Sequence, residues 1–430
     1  MLLRFGVSNH LSIRERQELS SVASSLRDRD EGLIDCAAMN GSIVPAIVIY
    51  GANASGKSNL VAGMRSMRSM ILLSHAKGKP DGGVPRYPFR LDPDYSQKPS
   101  RFDIDFVIDG VRHHYGFESS DSAFVSEWLY VFPKSHRRTL FERVGNEFSF
   151  GRSLRGRNQI IASLTRTNSL FLSAAAQNGH EQLSRVYGYF GSIKGFQEID
   201  ISGPVASEEL AEQEVDARVI DFLKRVGTGI IGYQRKETKL SEEEQAFHRE
   251  ITEAFRKLGQ TSFRPETDVE GKRVSIEFAH RGRDGKEVYF ELDRESAGTR
   301  RLLIVLDLAF RALDQGVPLF IDELDASLHT HACEAVLSLF CSRKNNPKGA
   351  QLVATTHDTN LMNSPVLRRD QLWFTRKDAE GVTDVYPLTD IRTRKSDNIE
   401  KGYLQGRYGA VPDLNLPPGH IGPEAAWSPP

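Results

Sequence analysis

Residues 51–58 have the types and the spacing of a phosphate-binding loop, G-x-x-x-x-G-K-S. They follow an apolar run at 43–50, which predicts a buried parallel strand, and they precede helix-like apolar spacing over 59–73. In such a strand, loop and helix, backbone N–H groups and the helix N-terminus receive phosphate oxygens. The sequence therefore predicts a nucleoside triphosphate site, with ATP and Mg²⁺ as the expected cofactors.

The loop residues have distinct expected roles. Its glycines allow the backbone to approach phosphate closely, Lys57 can reach the β and γ phosphates, and the Ser58 hydroxyl can bind Mg²⁺. The predicted nucleotide-binding residues of the loop are Gly51, Ala52, Asn53, Ala54, Ser55, Gly56, Lys57, Ser58 and Asn59. A chance glycine loop is the alternative, and the strand before it disfavours that interpretation.

A second motif lies far downstream, where the apolar run 319–321 ends in Asp322 and Glu323. Parallel strands deliver their C-terminal loops to one sheet edge, where ligands bind. Asp322 is expected to hold Mg²⁺ through a water, and Glu323 to act as the base or to position the attacking water. A strand followed by a solvated acidic turn would be the better interpretation if no phosphate-binding loop preceded it.

A third strand, predicted at 351–355, ends near His357. An imidazole there can donate a hydrogen bond to a γ-phosphate oxygen. A lone histidine after a strand is more often structural, but the order of the motifs favours a functional role for His357.

Ser296 and Gly298 lie at the predicted start of a helix. They offer a hydroxyl and an unhindered N–H at a helix N-terminus, which is a second candidate anion site. An ordinary N-cap with Ser296 as the capping residue fits the local sequence equally well.

These motifs together resemble the ATP-binding-cassette superfamily, in particular the heads of the SMC/RecF type. Residues 51–58 resemble its Walker A loop, 296–299 its signature, and Asp322 with Glu323 its Walker B pair. His357 resembles the switch histidine, and 325–329, beginning at Asp325, resemble the D-loop that crosses the dimer interface.

The resemblance implies a site shared by two subunits, in which the signature of one subunit caps the triphosphate held by the other. It therefore implies a dimer or a higher oligomer. The Ser-Ala-Gly-Thr signature departs from the transporter form and argues against a transporter subunit. The lid-loop glutamine of the superfamily has only a weak candidate, Gln97, in a proline-rich setting.

Three further segments, 8–13, 88–91 and 403–412, resemble bacterial stand-alone ATPases of the RloA and abortive-infection type, to which the ATPase subunit of the PARIS anti-phage system is related. This resemblance implies an ATPase that acts as a sensor or regulator in anti-phage defence and controls a nuclease encoded beside it. Roughly 70 residues follow His357, fewer than a typical domain, so the nuclease is expected in trans. The alternatives are a RecF-like DNA-repair head that binds DNA and a nucleotide-dependent scaffold with negligible turnover.

Composition limits the other possibilities. The net charge is −1 over 430 residues, so no global charge attracts nucleic acid or a membrane. No apolar stretch approaches the roughly 20 residues that span a bilayer, and three cysteines without metal-ligand spacing argue against a disulfide framework. We therefore expect a cytoplasmic protein without membrane contact.

The periodicities predict an α/β fold of the P-loop NTPase class with two insertions. The expected divisions are a first part of the ATPase core at 1–80, an antiparallel β lobe at 81–175, a helical insertion at 176–270, a second part of the core at 271–411 and a flexible tail at 412–430. Alternating strands and Asp-Gly and Gly-Asn turns indicate the lobe.

Overall fold

The computed structural model describes residues 1–411 except 27, 134–135, 196–213, 240, 242, 244, 247–249 and 251–271. The predicted tail at 412–430 and much of the predicted helical insertion at 176–270 lie outside these residues. Among the described helices, none is long and apolar enough to span a bilayer.

The centre of the molecule is a six-stranded sheet that is parallel except at one edge. In spatial order its strands are Lys194–Gly195, Pro318–Ile321, Gln351–Thr355, Ala46–Gly51, Leu372–Lys377 and Thr383–Pro387. Only the last pair runs antiparallel. The strand that ends at the phosphate-binding loop therefore lies beside Gln351–Thr355, which in turn lies beside the acidic strand, so all three motifs open on one edge.

A seven-stranded antiparallel sheet forms the β lobe. In spatial order its strands are Glu147–Phe150, Arg138–Val144, Phe124–Phe132, Val111–Ser119, Ser100–Ile108, Leu2–Ser8 and Gln17–Ser20. The predicted Asp-Gly turn is formed by Asp109 at φ 50° and Gly110 at φ 72°, the positive angles that a tight two-residue hairpin needs. The α/β class with an antiparallel lobe is confirmed.

The boundaries between the two sheets do not follow the predicted divisions. The first strand, Leu2–Ser8, pairs with Ser100–Ile108 inside the antiparallel sheet, although it precedes the phosphate-binding loop in sequence. The remaining described strands form two smaller sheets. One consists of Ile34–Cys36 and Gly41–Ile43, and the other consists of Ile230–Lys239, Lys272–Arg281 and Glu287–Glu291. Strand Ile230–Lys239 lies in the region where helices were expected.

The described helices are Lys57–Leu73, Pro93–Gln97, Asn158–Leu164, Phe171–Gln177, Glu181–Ser192, Ala217–Arg225, Ala297–Gln315, Thr330–Phe340 and Ile399–Leu404. We call Lys57–Leu73 the P-loop helix and Ala297–Gln315 the signature helix. These two helices form where apolar residues recur every three to four positions, because that spacing gives each helix one face to bury.

The parallel sheet divides two hydrophobic cores. Ile47 and Ile49 point to one face, where they pack with the P-loop helix and the antiparallel sheet. Val48 and Tyr50 point to the other face, where they pack with the signature helix and with Thr330–Phe340. Because side chains alternate along a strand, the fully buried strand Ala46–Gly51 serves both cores and is fixed from both sides.

Candidate functional site

The turn after strand Ala46–Gly51 has the backbone of a phosphate-binding loop. Gly56 has φ 108° and directly precedes the P-loop helix. A Cβ on Gly56 would lie 2.3 Å from Thr383 Oγ1, whose hydroxyl donates a 2.8 Å hydrogen bond to the carbonyl oxygen of Ser55. Asn53, Ala54 and Ser58 are exposed, so the loop is supported from beneath and open above.

Lys57 lies folded back over this loop. Its Nζ donates to the carbonyl oxygens of Gly51 at 2.8 Å and Ala52 at 3.1 Å, and the residue is only 5% exposed. Burial lowers the pKa of Lys57, while the charges of Asp322, Asp325 and Glu323 act in the opposite direction. The fold thus brings the ammonium group within electrostatic reach of the acidic turn, which follows a strand more than 250 residues away in sequence.

The acidic turn is held by its backbone. Thr355 Oγ1 accepts a 2.7 Å hydrogen bond from the N–H of Glu323 and donates to the carboxylate of Asp322. Glu323 has φ 52°, in the left-handed region that non-glycine residues seldom occupy, and its side chain is exposed. The carboxylate of Glu323 is therefore accessible, while its peptide is fixed from below by the neighbouring strand.

Asp325 and His357 face each other across the same edge. Both carboxylate oxygens of Asp325 lie 3.1 Å from the backbone nitrogen of His357, which donates to them. His357 is an exposed residue. The segment that resembles a D-loop thus contacts the segment that resembles a switch within one chain.

The residues of the predicted signature form the start of the signature helix. Ser296 is the N-cap, and its Oγ accepts a 3.0 Å hydrogen bond from the N–H of Thr299. A Cβ on Gly298 would lie 2.5 Å from the carbonyl oxygen of Ser327, so the helix start packs directly on the D-loop-like turn. Ser296 is exposed, and its Oγ also lies 2.9 Å from Thr299 Oγ1.

Several residues of the site are not marked by any sequence motif. Ser12 connects the P-loop helix to strand Thr383–Pro387. Its Oγ accepts a hydrogen bond from Asn59 Nδ2 at 2.6 Å and lies 2.7 Å from Thr383 Oγ1. Thr375 Oγ1 is 2.6 Å from Ser55 Oγ, beneath the loop. Ser12 lies in one of the segments that carried the family resemblance, but small hydroxyl residues have no spacing that marks them. Gln97 lies exposed at the end of Pro93–Gln97.

The site suits a triphosphate with magnesium. The left-handed backbone at Gly56, a buried ammonium and an open loop match a phosphate cradle. Among the described residues, no group of three His, Cys, Asp or Glu side chains could hold a metal ion by itself. A hydroxyl and one carboxylate, here Ser58 and Asp322, suit Mg²⁺, which keeps waters and binds phosphate oxygens rather than a cage of protein ligands.

Comparisons with known proteins identify a family for this chain. The sequence model of the family AAA_21, described as "AAA domain, putative AbiEii toxin, Type IV TA system", matches residues 46–363. No curated protein sequence matches the chain significantly. A solved structure titled "Crystal structure of the SmcHead bound to the C-winged helix domain of ScpA" is similar over 90% of this chain and 96% of that chain, with 15% sequence identity and a TM-score of 0.40.

Proposed function

Because the chain belongs to the AAA_21 family of P-loop ATPases, whose model matches more than half of its length, we propose that it hydrolyses ATP and uses the cycle to regulate a partner. One observation carries this proposal. The strands that end at Gly51 and Ile321 flank Gln351–Thr355 in one parallel sheet, so the phosphate-binding loop with Lys57 and the two carboxylates share one sheet edge. This combination suits phosphoryl transfer to water.

Each side chain has its own role in the proposed hydrolysis. Lys57 leaves its two carbonyl partners to neutralise the β and γ phosphates, and backbone N–H groups of residues 53, 54 and 56–58 bind the remaining oxygens. Ser58 and Asp322 would hold Mg²⁺, which supplies charge neutralisation when bound. The exposed carboxylate of Glu323 orients the attacking water or takes its proton, and His357 donates to a γ-phosphate oxygen.

The site is proposed to be completed by a second copy of the chain. The hydroxyl of Ser296 and the N–H of Gly298 lie at the exposed N-terminus of a 19-residue helix, whose dipole favours an anion. The hydrogen bonds of Ser296 stay within its own turn, with Thr299. We propose that this turn caps the triphosphate held by residues 51–58 of a partner, with Asp325 at the same interface, in a dimer or a higher oligomer.

The partner under control is proposed to be a nuclease in anti-phage defence. The description of the family names the AbiEii toxin and a Type IV toxin–antitoxin system, which supports abortive infection as the setting. The RloA-like and PARIS-like segments at 8–13, 88–91 and 403–412 support the same assignment. Association and dissociation of the ATP-bound assembly would hold or release the nuclease.

A RecF-like role in DNA repair is the competing proposal, and the outer face of the antiparallel sheet bears on it. Two of the arginines there are paired, Arg16 with Asp103 at 2.6 Å and Arg101 with the same carboxylate at 3.2 Å. Compensated charges attract a polyanion weakly, so we favour a protein partner. Salt-sensitive DNA binding together with DNA-stimulated hydrolysis would reverse this preference.

The central test replaces the proposed base. Glu323→Gln keeps the size of the side chain but cannot accept a proton, so ATP should bind and hydrolysis should fall by about 10²- to 10⁴-fold. Size-exclusion chromatography with ATP should then show a trapped assembly. Glu181→Gln, on a 91% exposed carboxylate of helix Glu181–Ser192, is the matched control. A Glu323→Gln protein that hydrolyses ATP at the native rate would exclude this role for the carboxylate.

The role in defence needs its own test. The protein and the product of the neighbouring gene are co-purified with and without ATP, and also with the Glu323→Gln variant. Nucleotide-dependent binding or release of a nuclease supports the proposal. Stable co-purification with DNA and no nuclease would favour the repair function instead.

A further inference from the structure

One buried arginine joins the signature helix to the acidic turn. Arg301 lies on the second turn of that helix and is 5% exposed. Its Nη2 donates to the carbonyl oxygen of Asp322 at 2.9 Å and to that of Glu323 at 2.8 Å. A single guanidinium nitrogen therefore bridges two successive peptide groups, which belong to the proposed magnesium ligand and the proposed base.

The peptide that Arg301 holds is under strain. Glu323 has φ 52°, and a non-glycine residue in that region costs on the order of 1 kcal/mol. Such a conformation persists only when its surroundings impose it. Here Thr355 holds the N–H of Glu323 and Arg301 holds its carbonyl oxygen, so the direction of the exposed carboxylate depends on both contacts.

Stability alone does not account for this arginine. Burial lowers the pKa of Arg301, and the nearby charge of Glu323 offsets this only in part. Its Nε is buried without a hydrogen-bond partner in the described part of the chain. A buried charge that is partly unpaired is often less favourable than a hydrophobic side chain of similar volume.

We propose that Arg301 is a positioning residue that couples the signature helix to the carboxylate of Glu323. The proposal rests on the function proposed above, in which the helix start engages the triphosphate of a partner. The helix start also packs on Ser327 through Gly298, four to five residues beyond the carbonyl groups that Arg301 holds. A displacement of the signature helix is transmitted to the acidic turn at both contacts, so the base is aligned only when the composite site has closed.

The test compares arginines on the same helix. Arg301→Met removes the donors while keeping a long side chain, and Arg301→Lys restores a cation with shorter reach. Arg311→Met is the matched control, because Arg311 pairs with Asp307 on its own helix at 2.9 Å. The readouts are the single-turnover hydrolysis rate, the Kd for ATP, ATP-dependent association and the Tm.

A positioning role predicts that the hydrolysis rate changes far more than ATP affinity or ATP-dependent association. Arg301→Met should lower the hydrolysis rate by about 10²-fold, the loss expected when a reacting group is misplaced by about 1 Å. ATP affinity and ATP-dependent association should change less than about threefold, and Arg301→Lys should recover part of the rate. Arg311→Met should behave like the native protein.

Other outcomes overturn the proposal. A native hydrolysis rate in Arg301→Met would exclude a positioning role, and so would a rate loss that matches the fraction of unfolded protein. A weakened Kd with an unchanged rate would assign Arg301 to nucleotide binding instead. The function proposed above fails separately, if the native protein shows no hydrolysis or if Glu323→Gln is fully active.

Discussion

The backbone N–H of Ala52, inside the phosphate-binding loop, donates a 2.9 Å hydrogen bond to the carbonyl oxygen of Ala410. Ala410 is 2% exposed, and its carbonyl oxygen also accepts from the hydroxyl of Tyr403 at 3.3 Å. The hydroxyl of Tyr386 donates to the carbonyl oxygen of Tyr408. The segment 403–410 is therefore part of the support of the loop, although more than 350 residues separate the two in sequence.

We predict that loosening this segment weakens ATP binding. The double substitution Tyr386→Phe and Tyr403→Phe removes the two hydroxyl donors and keeps the aromatic rings. A hydrogen bond contributes about 1 kcal/mol. If the energy of one of the two bonds serves to hold the phosphate-binding loop, the Kd for ATP should rise about fivefold. Isothermal titration calorimetry measures it.

The control for this pair is Tyr130→Phe. The hydroxyl of Tyr130 donates to Glu142 at 2.7 Å on the antiparallel sheet, so its removal deletes a comparable bond elsewhere. An unchanged Kd in the double variant, with a Tm shift like that of the control, would show that segment 403–410 only stabilises the fold.

Local patterns in the sequence predicted the elements of this fold well. Strand Gln351–Thr355 begins and ends where it was predicted, because apolar runs and flanking breakers act within a few residues. The convergence of the three motifs followed from the parallel sheet, since parallel strands end at one edge.

Contacts between distant segments were not predictable in this way. Nothing in the residues around Thr383 marks it as the side chain beneath Ser55, and nothing local assigns strand Leu2–Ser8 to the antiparallel sheet. Alternation identifies a strand but not its neighbours, because many strands offer a compatible face. Arg301 was missed for the same reason, since its partners are backbone carbonyl groups, which every residue has.

Lys57→Met should weaken ATP binding with little change in the stability of the fold. The substitution removes the cation that faces the phosphates, so ATP affinity should fall by about 10- to 100-fold or more. The Tm should change little, because the cost of burying the charge, which also lowers the pKa of Lys57, offsets the two hydrogen bonds that its ammonium group makes. Fluorescent-nucleotide titration and thermal unfolding measure the two effects.

Lys77→Met is the matched control for this substitution, since Lys77 is exposed just after the P-loop helix. It should leave both quantities unchanged. Native ATP affinity in Lys57→Met would contradict the assignment of residues 51–58 as the nucleotide site.

Two glycine substitutions should change stability in opposite directions. Gly56→Ala places a Cβ 2.3 Å from Thr383 Oγ1 on a backbone with φ 108°, so we expect a loss of at least about 1–2 kcal/mol and weaker ATP binding. Gly188→Ala, inside helix Glu181–Ser192, meets nothing within 4 Å and should stabilise by about 0.5–1 kcal/mol. Urea unfolding measures both, and equal effects of the two substitutions would contradict the loop geometry.

Acid should destabilise the protein through His10, which lies beside the P-loop helix and contacts the rings of Phe102 and Tyr87. Burial lowers the pKa of His10 to about 4, from 6.5 for the free side chain, with a smaller contribution from Arg65. Between these values the unfolded chain binds a proton that the folded chain does not. Stability is therefore full above pH 6.5 and decreases as the pH falls towards 4, by about 3 kcal/mol from this residue.

His10→Phe isolates this contribution, because it keeps a ring against Phe102 but removes the titrating group. The free energy of unfolding of both proteins is measured by urea titration from pH 7 to pH 4. The native protein should lose about 3 kcal/mol more than the variant over this range, since every other titrating group is common to both and cancels in the difference. A difference that stays constant with pH would mean that His10 takes up its proton equally in the folded and unfolded chains, and so has access to water in the native state.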